Sequence, residues 1–276
     1  MFRAHASFAA FASCLAIGIV AGAITVPPAQ GATCTAKSGP QSMPLVELYT
    51  SEGCSSCPPA DRWLAATFSK TAPRSSGIAL AFHVDYWDKL GWKDRFATPA
   101  FTQRQYDSMR ASGARFVYTP QVVVQGKDFP QWHAGSAIAA LTAASAKPAR
   151  AEIALAAERE PGSILVKATA RIPATADRKG ASLYVALTDD GLASDVKAGE
   201  NSGVRLVHDS VVRVFRPGPS PDANGEIRWD VKLPVPAEGG SASTVVAFVQ
   251  NPGVGDVLQA LALPLANECA PKKAGP

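Results

Sequence analysis

The chain lacks the residue patterns of several large functional classes. Its 276 residues include only five cysteines, four histidines and three methionines, with no second CxxC motif and no methionine-rich run. No phosphate-binding glycine loop, dinucleotide fingerprint or Ser–His–Asp pattern stands out. The net charge is +4, an ordinary surface balance that argues against nucleic acid as a partner.

Long apolar runs are also missing, except at the amino end. Arg3 is followed by an uncharged run from Phe8 to Val26, and small residues at Ala29–Gly31 permit cleavage before Ala32. This pattern is typical of a secretory signal, so residues 1–31 are interpreted as a signal peptide. An uncleaved anchor is the alternative, because the run is longer than most signal cores. We expect a periplasmic or secreted protein with no membrane span after signal removal.

Export leaves four cysteines, because Cys14 lies within the signal. Cys54 and Cys57 form the CxxC motif, whereas Cys34 and Cys269 lie near the two ends of the mature chain. If Cys54 pairs with Cys57, an oxidising compartment favours a structural disulfide between Cys34 and Cys269. Two free thiols are the alternative.

The CxxC motif lies where an apolar strand gives way to a helix. Leu45–Thr50 has the pattern of a strand, and Pro58-Pro59 suit the first turn of a helix. Cys54 is therefore expected, exposed, at a helix amino terminus, where backbone N–H groups and the helix dipole stabilise a thiolate. Cys54 is the predicted attacking thiolate and Cys57 the resolving thiol. A purely structural CxxC bridge is the alternative.

A second apolar run, Ile78–Val84, predicts a buried parallel strand with His83 at its end. His83 is a candidate for lowering the pKa of Cys54 or carrying its proton, and Asp85 or Asp88 is a candidate base. In the alternative interpretation, His83 is hydrogen-bonded within its strand and the aspartates form salt bridges. Residues 85–113 predict a helical insertion.

The rest of the chain changes from mixed to strand-like patterns. Thr119-Pro120 leads directly into a valine-rich strand and is expected to carry a cis bond. A closing helix follows at Ser136–Ser145. From Ala151 onward, seven strand-like runs separated by turn residues predict a sandwich-like β domain. One of them, Val204–Phe215, contains His208, which is interpreted as structural.

Three motifs together are specific: VELYTSEGCSSCPPAD at 46–61, HVDYWD at 83–88 and YTPQ at 118–121. They resemble a family of exported bacterial thioredoxin-like proteins that is catalogued only as a domain of unknown function. The resemblance implies a thioredoxin-like core elaborated by β structure. With the patterns above, we predict an α/β fold: a thioredoxin-like domain with a helical insertion at 32–148, followed by a β-rich, sandwich-like domain at 149–276. It carries the roles of the cysteines and the cis-proline to Cys54, Cys57 and Pro120, and it implies no substrate.

Together these patterns predict an exported thiol–disulfide oxidoreductase that acts on protein or small-molecule thiols and disulfides. The substrate backbone would lie beside Thr119-Pro120, and the redox-active disulfide would need no further cofactor. One alternative is a Cu(I) or Zn binding module, with Cys54, Cys57 and either His83 or His133 as ligands. Another is a non-catalytic interaction module in which the CxxC is a structural bridge. The substrate and the oligomeric state do not follow from the sequence.

Overall fold

Two β-sheets organise the part of the chain that the structure describes. The computed structural model describes residues 1–2, 33–68, 77–240 and 242–265. The predicted signal peptide at 1–31 therefore lies almost entirely outside the described residues, as does Cys269. Residues 1–30 and 31–276 form two separate units, and the elements named below belong to the second.

The first half of that unit mixes strands and helices, and the second half consists of strands. The first half contains β1 (Thr33–Lys37), β2 (Leu45–Thr50), α1 (Pro58–Thr67), β3 (Ile78–His83), a 3₁₀ turn (Asp85–Leu90), α2 (Pro99–Ser112), β4 (Gln121–Val124), β5 (Lys127–Asp128), a 3₁₀ turn (Trp132–Ala134) and α3 (Ser136–Ser145). The second half contains β6 (Glu152–Glu160), β7 (Ser163–Arg171), a 3₁₀ turn (Thr175–Asp177), β8 (Ser182–Asp190), β9 (Leu192–Asp195), β10 (Arg205–His208), β11 (Val211–Pro217), β12 (Glu226–Pro234), β13 (Ala242–Asn251) and β14 (Asp256–Pro264).

The larger sheet has eight strands in the order β14-β13-β8-β11-β3-β2-β4-β5. Its parallel pairs are β2 with β3, and β3 with β11, where Val211 lies opposite Ala81. The other neighbours are antiparallel. A second sheet, β1-β6-β7-β12, is antiparallel, and β9 and β10 form a separate two-stranded ribbon.

Local sequence explains where the helices begin and end. The Thr98 hydroxyl accepts the N–H of Phe101 at 3.3 Å, which caps the start of α2. Pro99 occupies the first helical position, and Gly113 ends the helix in the left-handed region at φ 69°. In α1, Pro58 and Pro59 fill first-turn positions in the same way.

Both faces of the eight-stranded sheet are covered. On one face, α1 and α3 pack over β2, β3 and β4, and the four-stranded sheet packs over β8, β13 and β14. The other face packs against α2, from which the largely buried Arg104 pairs with Glu47 and lies over four aromatic rings. Those rings belong to Phe82, Tyr184, Phe215 and Phe248.

The predicted fold class is wrong. The structure is mostly β-sheet in several sheets, and it does not support an α/β thioredoxin-like core with a helical insertion followed by a β-rich, sandwich-like domain. β3 pairs with β11 from the second half of the chain, so the sheet continues across both halves. This pairing covers backbone donors and acceptors that an edge strand would expose. The segment 85–113 packs on one face of the eight-stranded sheet. The domain limits 32–148 and 149–276 stay a prediction, and both ranges contribute strands to this sheet.

Candidate functional site

The CxxC loop joins the carboxyl end of β2 to the start of α1. Cys54 and Cys57 form a disulfide with their Cα atoms 5.4 Å apart. Cys57 is the N-cap residue of α1, and its carbonyl accepts the N–H groups of Ala60 and Asp61 at 2.9 and 3.1 Å. The disulfide thus closes the turn that leads into the helix, and the free N–H groups at the helix start favour negative charge.

Both sulfurs are covered. Cys54 and Cys57 are each 0% exposed, whereas Ser55 and Ser56 between them are exposed. The expectation of an exposed Cys54 is therefore wrong for this state of the protein. Its Sγ lies 3.3 Å from Ser56 Oγ and accepts a hydrogen bond from the Thr119 hydroxyl at 3.4 Å.

Two further segments converge on Cys54. The Thr119–Pro120 peptide bond is cis, in accordance with its position before β4. The Thr119 hydroxyl also accepts a hydrogen bond from Trp87 Nε1 at 2.8 Å, which ties it to the 3₁₀ turn after β3. That turn runs so close to the CxxC loop that a Cβ on Gly53 would lie 3.1 Å from the Cβ of Trp87.

A loop from the second half of the chain holds the CxxC loop from another side. Glu200 Oε2 accepts the N–H of Ser55 at 2.9 Å and its hydroxyl at 2.7 Å, and these hydrogen bonds lower the pKa of Glu200. Asn201 Nδ2 donates to the carbonyls of Glu52 and Cys54 at 2.8 and 3.0 Å. Sequence reasoning missed both residues, since they lie in a turn-rich stretch without a recognisable motif.

His83 faces Asp94. Its Nδ1 lies 2.6 Å from Asp94 Oδ2, and both side chains are fully buried. Burial alone would lower the pKa of His83, but the Asp94 charge and hydrogen bond leave it raised. Burial alone would raise the pKa of Asp94, but His83 and the N–H groups of Glu52 and Phe96 leave it lowered.

A second buried histidine stands beside the first. The rings of His83 and His208 meet edge to face with centroids 4.9 Å apart. His208 Nε2 lies 3.3 Å from Glu52 Oε1, and its Nδ1 lies 3.9 Å from Asp61 Oδ2. Burial raises the pKa of Asp61. Sequence reasoning treated His208 as structural and did not select Glu52, Asp61 or Asp94, because their proximity depends on tertiary packing.

The predicted bases Asp85 and Asp88 each accept a hydrogen bond from a neighbouring segment. The Asp85 carboxylate accepts the Thr102 hydroxyl at 2.5 Å, so it contacts α2. Asp88 Oδ1 accepts the N–H of Asp94 at 3.1 Å, and burial raises the pKa of Asp88.

The predicted metal ligands do not form a binding group. Among the described residues, no group of three or more His, Cys, Asp or Glu side chains could hold a metal ion. His83 is turned to Asp94, and His133 packs against Trp132 with ring centroids 5.3 Å apart.

Cys34, in β1, is buried and disulfide-bonded. Its predicted partner Cys269 lies outside the described residues, so the Cys34–Cys269 pairing stays a prediction.

No helix in the described ranges combines the length and apolar character that a membrane crossing requires.

Comparison with known proteins places the chain among uncharacterised relatives. It is similar to the crystal structure of Protein AGR_C_4864 from Agrobacterium tumefaciens, with 25% sequence identity, a TM-score of 0.57, and coverage of 85% of this chain and 99% of that chain. It shares a fold with HBP35 of Porphyromonas gingivalis, with 16% identity, a TM-score of 0.63, and coverage of 87% of this chain and 80% of that chain. No curated protein matches it. The family described as Protein of unknown function (DUF1223) matches residues 45–250, and the chain belongs to that family.

Proposed function

We propose that this protein is an exported thiol–disulfide oxidoreductase that exchanges the Cys54–Cys57 disulfide with protein or small-molecule thiols. The observation that carries the proposal is the disulfide in the turn that leads into α1, with Cys57 as the N-cap residue and the Thr119 hydroxyl donating to Cys54 Sγ. A hydrogen-bond donor and a helix amino terminus both stabilise a thiolate, and thiolates are the reactive species in exchange. The location in the periplasm or outside the cell rests on the predicted signal at residues 1–31.

The proposed reaction opens and closes one sulfur–sulfur bond. An incoming thiolate forms a bond to Cys54 Sγ, the Cys54–Cys57 bond breaks, and its electron pair stays on Cys57 Sγ. A second thiolate of the partner then displaces Cys54, which leaves two reduced cysteines and one oxidised partner. In the opposite direction, the Cys54 thiolate attacks a partner disulfide and Cys57 releases the reduced partner.

Access to Cys54 requires the site to open. Cys54 is fully buried, but the exposed Ser55 and Ser56 lie beside it and the Ser56 hydroxyl is within 3.3 Å of its sulfur. We therefore expect a partner to approach across these serines and displace the contact between Thr119 and Cys54.

The test combines a redox titration with a cysteine variant. The ratio of dithiol to disulfide at Cys54–Cys57 is followed by thiol trapping and mass spectrometry in glutathione buffers. A midpoint between about −120 and −270 mV is expected, since exchange catalysts lie in that range. Cys54→Ser should abolish exchange with a model dithiol, while the exposed Ser112→Ala on α2 should exchange at the wild-type rate. Undiminished turnover in Cys54→Ser would overturn the proposal.

Full burial of both cysteines favours a second candidate, a structural bridge in a non-catalytic interaction module. Structural disulfides resist reduction and have midpoints below about −300 mV. The same titration therefore separates the two candidates, and a midpoint in that lower range would favour the bridge.

A further inference from the structure

Five titratable side chains that the exchange chemistry above leaves unused surround the CxxC loop. We call them the acid–imidazole cluster: Glu52, Asp61, His83, Asp94 and His208. Asp61 is 8% exposed, and each of the others is 3% exposed or less. They come from the loop after β2, from α1, from β3, from the segment before α2, and from β10.

Several polar atoms of this cluster are buried without a well-formed hydrogen bond among the described residues. They are Glu52 Oε1, His83 Nε2 and both ring nitrogens of His208. Leaving a buried polar group unsatisfied costs about 1–3 kcal/mol. A redox or catalytic role is one explanation for such groups in native proteins, along with strain and bound water or ions, and here they lie near a disulfide.

The cluster reaches the resolving cysteine through α1. Asp61 lies four residues after Cys57, and its N–H donates to the Cys57 carbonyl at 3.1 Å. Side chains four residues apart on a helix are neighbours on one face. Asp61 Oδ2 lies 3.9 Å from His208 Nδ1, and His208 Nε2 lies 3.3 Å from Glu52 Oε1. These contacts connect Asp61 to the rest of the cluster.

The cluster also reaches a cleft. Asp61 and His208 line a cavity of about 210 Å³ between α1 and β10, together with Pro58, Arg62 and residues 204–207. The charged groups that face Asp61 and His208 are thus the other cluster members and, across the cavity, Arg62 and Arg205. A cavity of this kind gives the buried groups a route for proton exchange.

We propose that the acid–imidazole cluster is the proton store of the disulfide, with Asp61 as the group that gives a proton to Cys57 and takes it back. The inference rests on the proposed exchange function. His208 lies beside Asp61 and Glu52 lies beside His208, and the charges of His83 and Asp94 also act on Asp61.

When the Cys54–Cys57 bond breaks, the electron pair on Cys57 Sγ binds the proton of the Asp61 carboxyl group, which becomes a carboxylate beside His208. In the reverse direction, the Asp61 carboxylate removes the proton of the Cys57 thiol, and the resulting thiolate attacks the mixed disulfide at Cys54. A buried thiolate without this transfer would be costly, because charge is poorly solvated in the interior.

Electrostatics supports the assignment. Burial raises the pKa of Asp61, whereas the charge and hydrogen bond of Asp94 leave the pKa of His83 raised in spite of its burial. A group that exchanges protons in catalysis works best when its pKa lies near the working pH.

The first test uses the unaltered full chain. The titration of the His83 and His208 imidazoles is followed by NMR in the oxidised protein and in the protein reduced with dithiothreitol. We expect at least one midpoint to differ between the two forms, since proton transfer to Cys57 leaves Asp61 as a carboxylate beside His208. Identical titrations would overturn the proton store, whether or not the protein catalyses exchange. Coupled titrations without turnover would overturn the exchange function alone.

The second test is kinetic. In stopped flow, the reduced protein releases thionitrobenzoate from an aromatic disulfide in two phases, first by Cys54 attack and then by Cys57 attack. Asp61→Asn should slow the second phase about 100-fold at neutral pH, the scale of general base catalysis, and the rate should recover at high pH as Cys57 ionises unaided. His208→Gln should shift the pH midpoint of that phase.

Matched controls lie outside the cluster. Asp107→Asn, on the exposed side of α2, and His133→Gln, against Trp132, should leave both phases unchanged. A second phase that Asp61→Asn slows equally at every pH, or not at all, would contradict the assignment of Asp61.

Discussion

At the scale of single residues, the His83–Asp94 pair couples stability to pH. Asp94 leaves the pKa of His83 raised despite burial, and His83 leaves that of Asp94 lowered. A histidine whose pKa is raised in the folded protein makes its full contribution to stability below the unfolded pKa of about 6.5. That contribution is lost as pH rises through the pKa of the folded protein. A lowered aspartate pKa stabilises it above about 3.9, and this contribution is lost as pH falls through the folded value.

Asp94→Asn should therefore destabilise the protein most between about pH 4 and 6.5, where the intact pair is fully charged. Loss of one partner of a buried pair costs about 3 kcal/mol, and the cost should decline toward alkaline pH as His83 loses its proton. Urea unfolding of wild type and variant on either side of this window measures the difference. The exposed Asp107→Asn should shift the free energy of unfolding by less than about 0.5 kcal/mol throughout. A cost that grows toward alkaline pH would refute the coupling.

At the scale of elements, sequence patterns located most helices and strands. β2 and α3 match the predicted ranges, and α2 lies within residues 85–113, which were predicted to be helical. The run Val204–Phe215 was predicted as one strand but is two, β10 and β11, because Ser210 turns the chain at φ 56°. Serine at such a backbone angle gives no clear signal, so this break was missed. β1 and β9 were also missed, since they are short and carry little apolar patterning.

The turn between β4 and β5 contacts the turn between β13 and β14. Gly126, between β4 and β5, has φ +77°, and a Cβ there would lie 1.4 Å from the carbonyl oxygen of Gly255, between β13 and β14. Gly126→Ala should cost about 3 kcal/mol or more, because backbone must move to relieve the overlap. Gly113→Ala is the matched control, with φ +69° and nothing within 4 Å of the added Cβ.

The control isolates backbone strain from overlap. Gly113→Ala should lower the free energy of unfolding by only about 1–2 kcal/mol, the cost of placing a residue with a Cβ in the left-handed region. Equal losses of stability in urea for the two variants would show that the hairpins do not constrain each other.

At the scale of the whole molecule, the second half of the chain completes both the sheet and the site. Motifs predicted Cys54, Cys57 and Thr119-Pro120, which lie close together as expected. The contributions of Glu200, Asn201 and His208 were not predictable, because periodicity reveals a strand but not the edge with which it pairs. The same limitation produced the wrong fold class, since the pairing of β3 with β11 leaves no local trace.

Contact between the two halves of the chain should affect the ratio of dithiol to disulfide at Cys54–Cys57. Glu200 places a carboxylate on the CxxC loop, where it opposes a thiolate at Cys54. Glu200→Gln should therefore stabilise the reduced form and raise the reduced fraction severalfold in a given glutathione buffer. Glu238→Gln, which removes an exposed carboxylate paired with Arg95, should leave the ratio unchanged. A ratio that falls in Glu200→Gln would contradict this electrostatic role.

The hydrogen bond from Asn201 to the Cys54 carbonyl joins residues 147 positions apart in the chain. During synthesis, which begins at the amino end, the ribosome therefore adds Cys54 and Cys57 long before the residues that hold their loop exist. The two sulfurs emerge without Asn201 or His208 beside them, in surroundings unlike those of the finished protein. The chemistry of this loop thus has two successive periods in the life of each molecule, one before and one after its last hundred residues are in place.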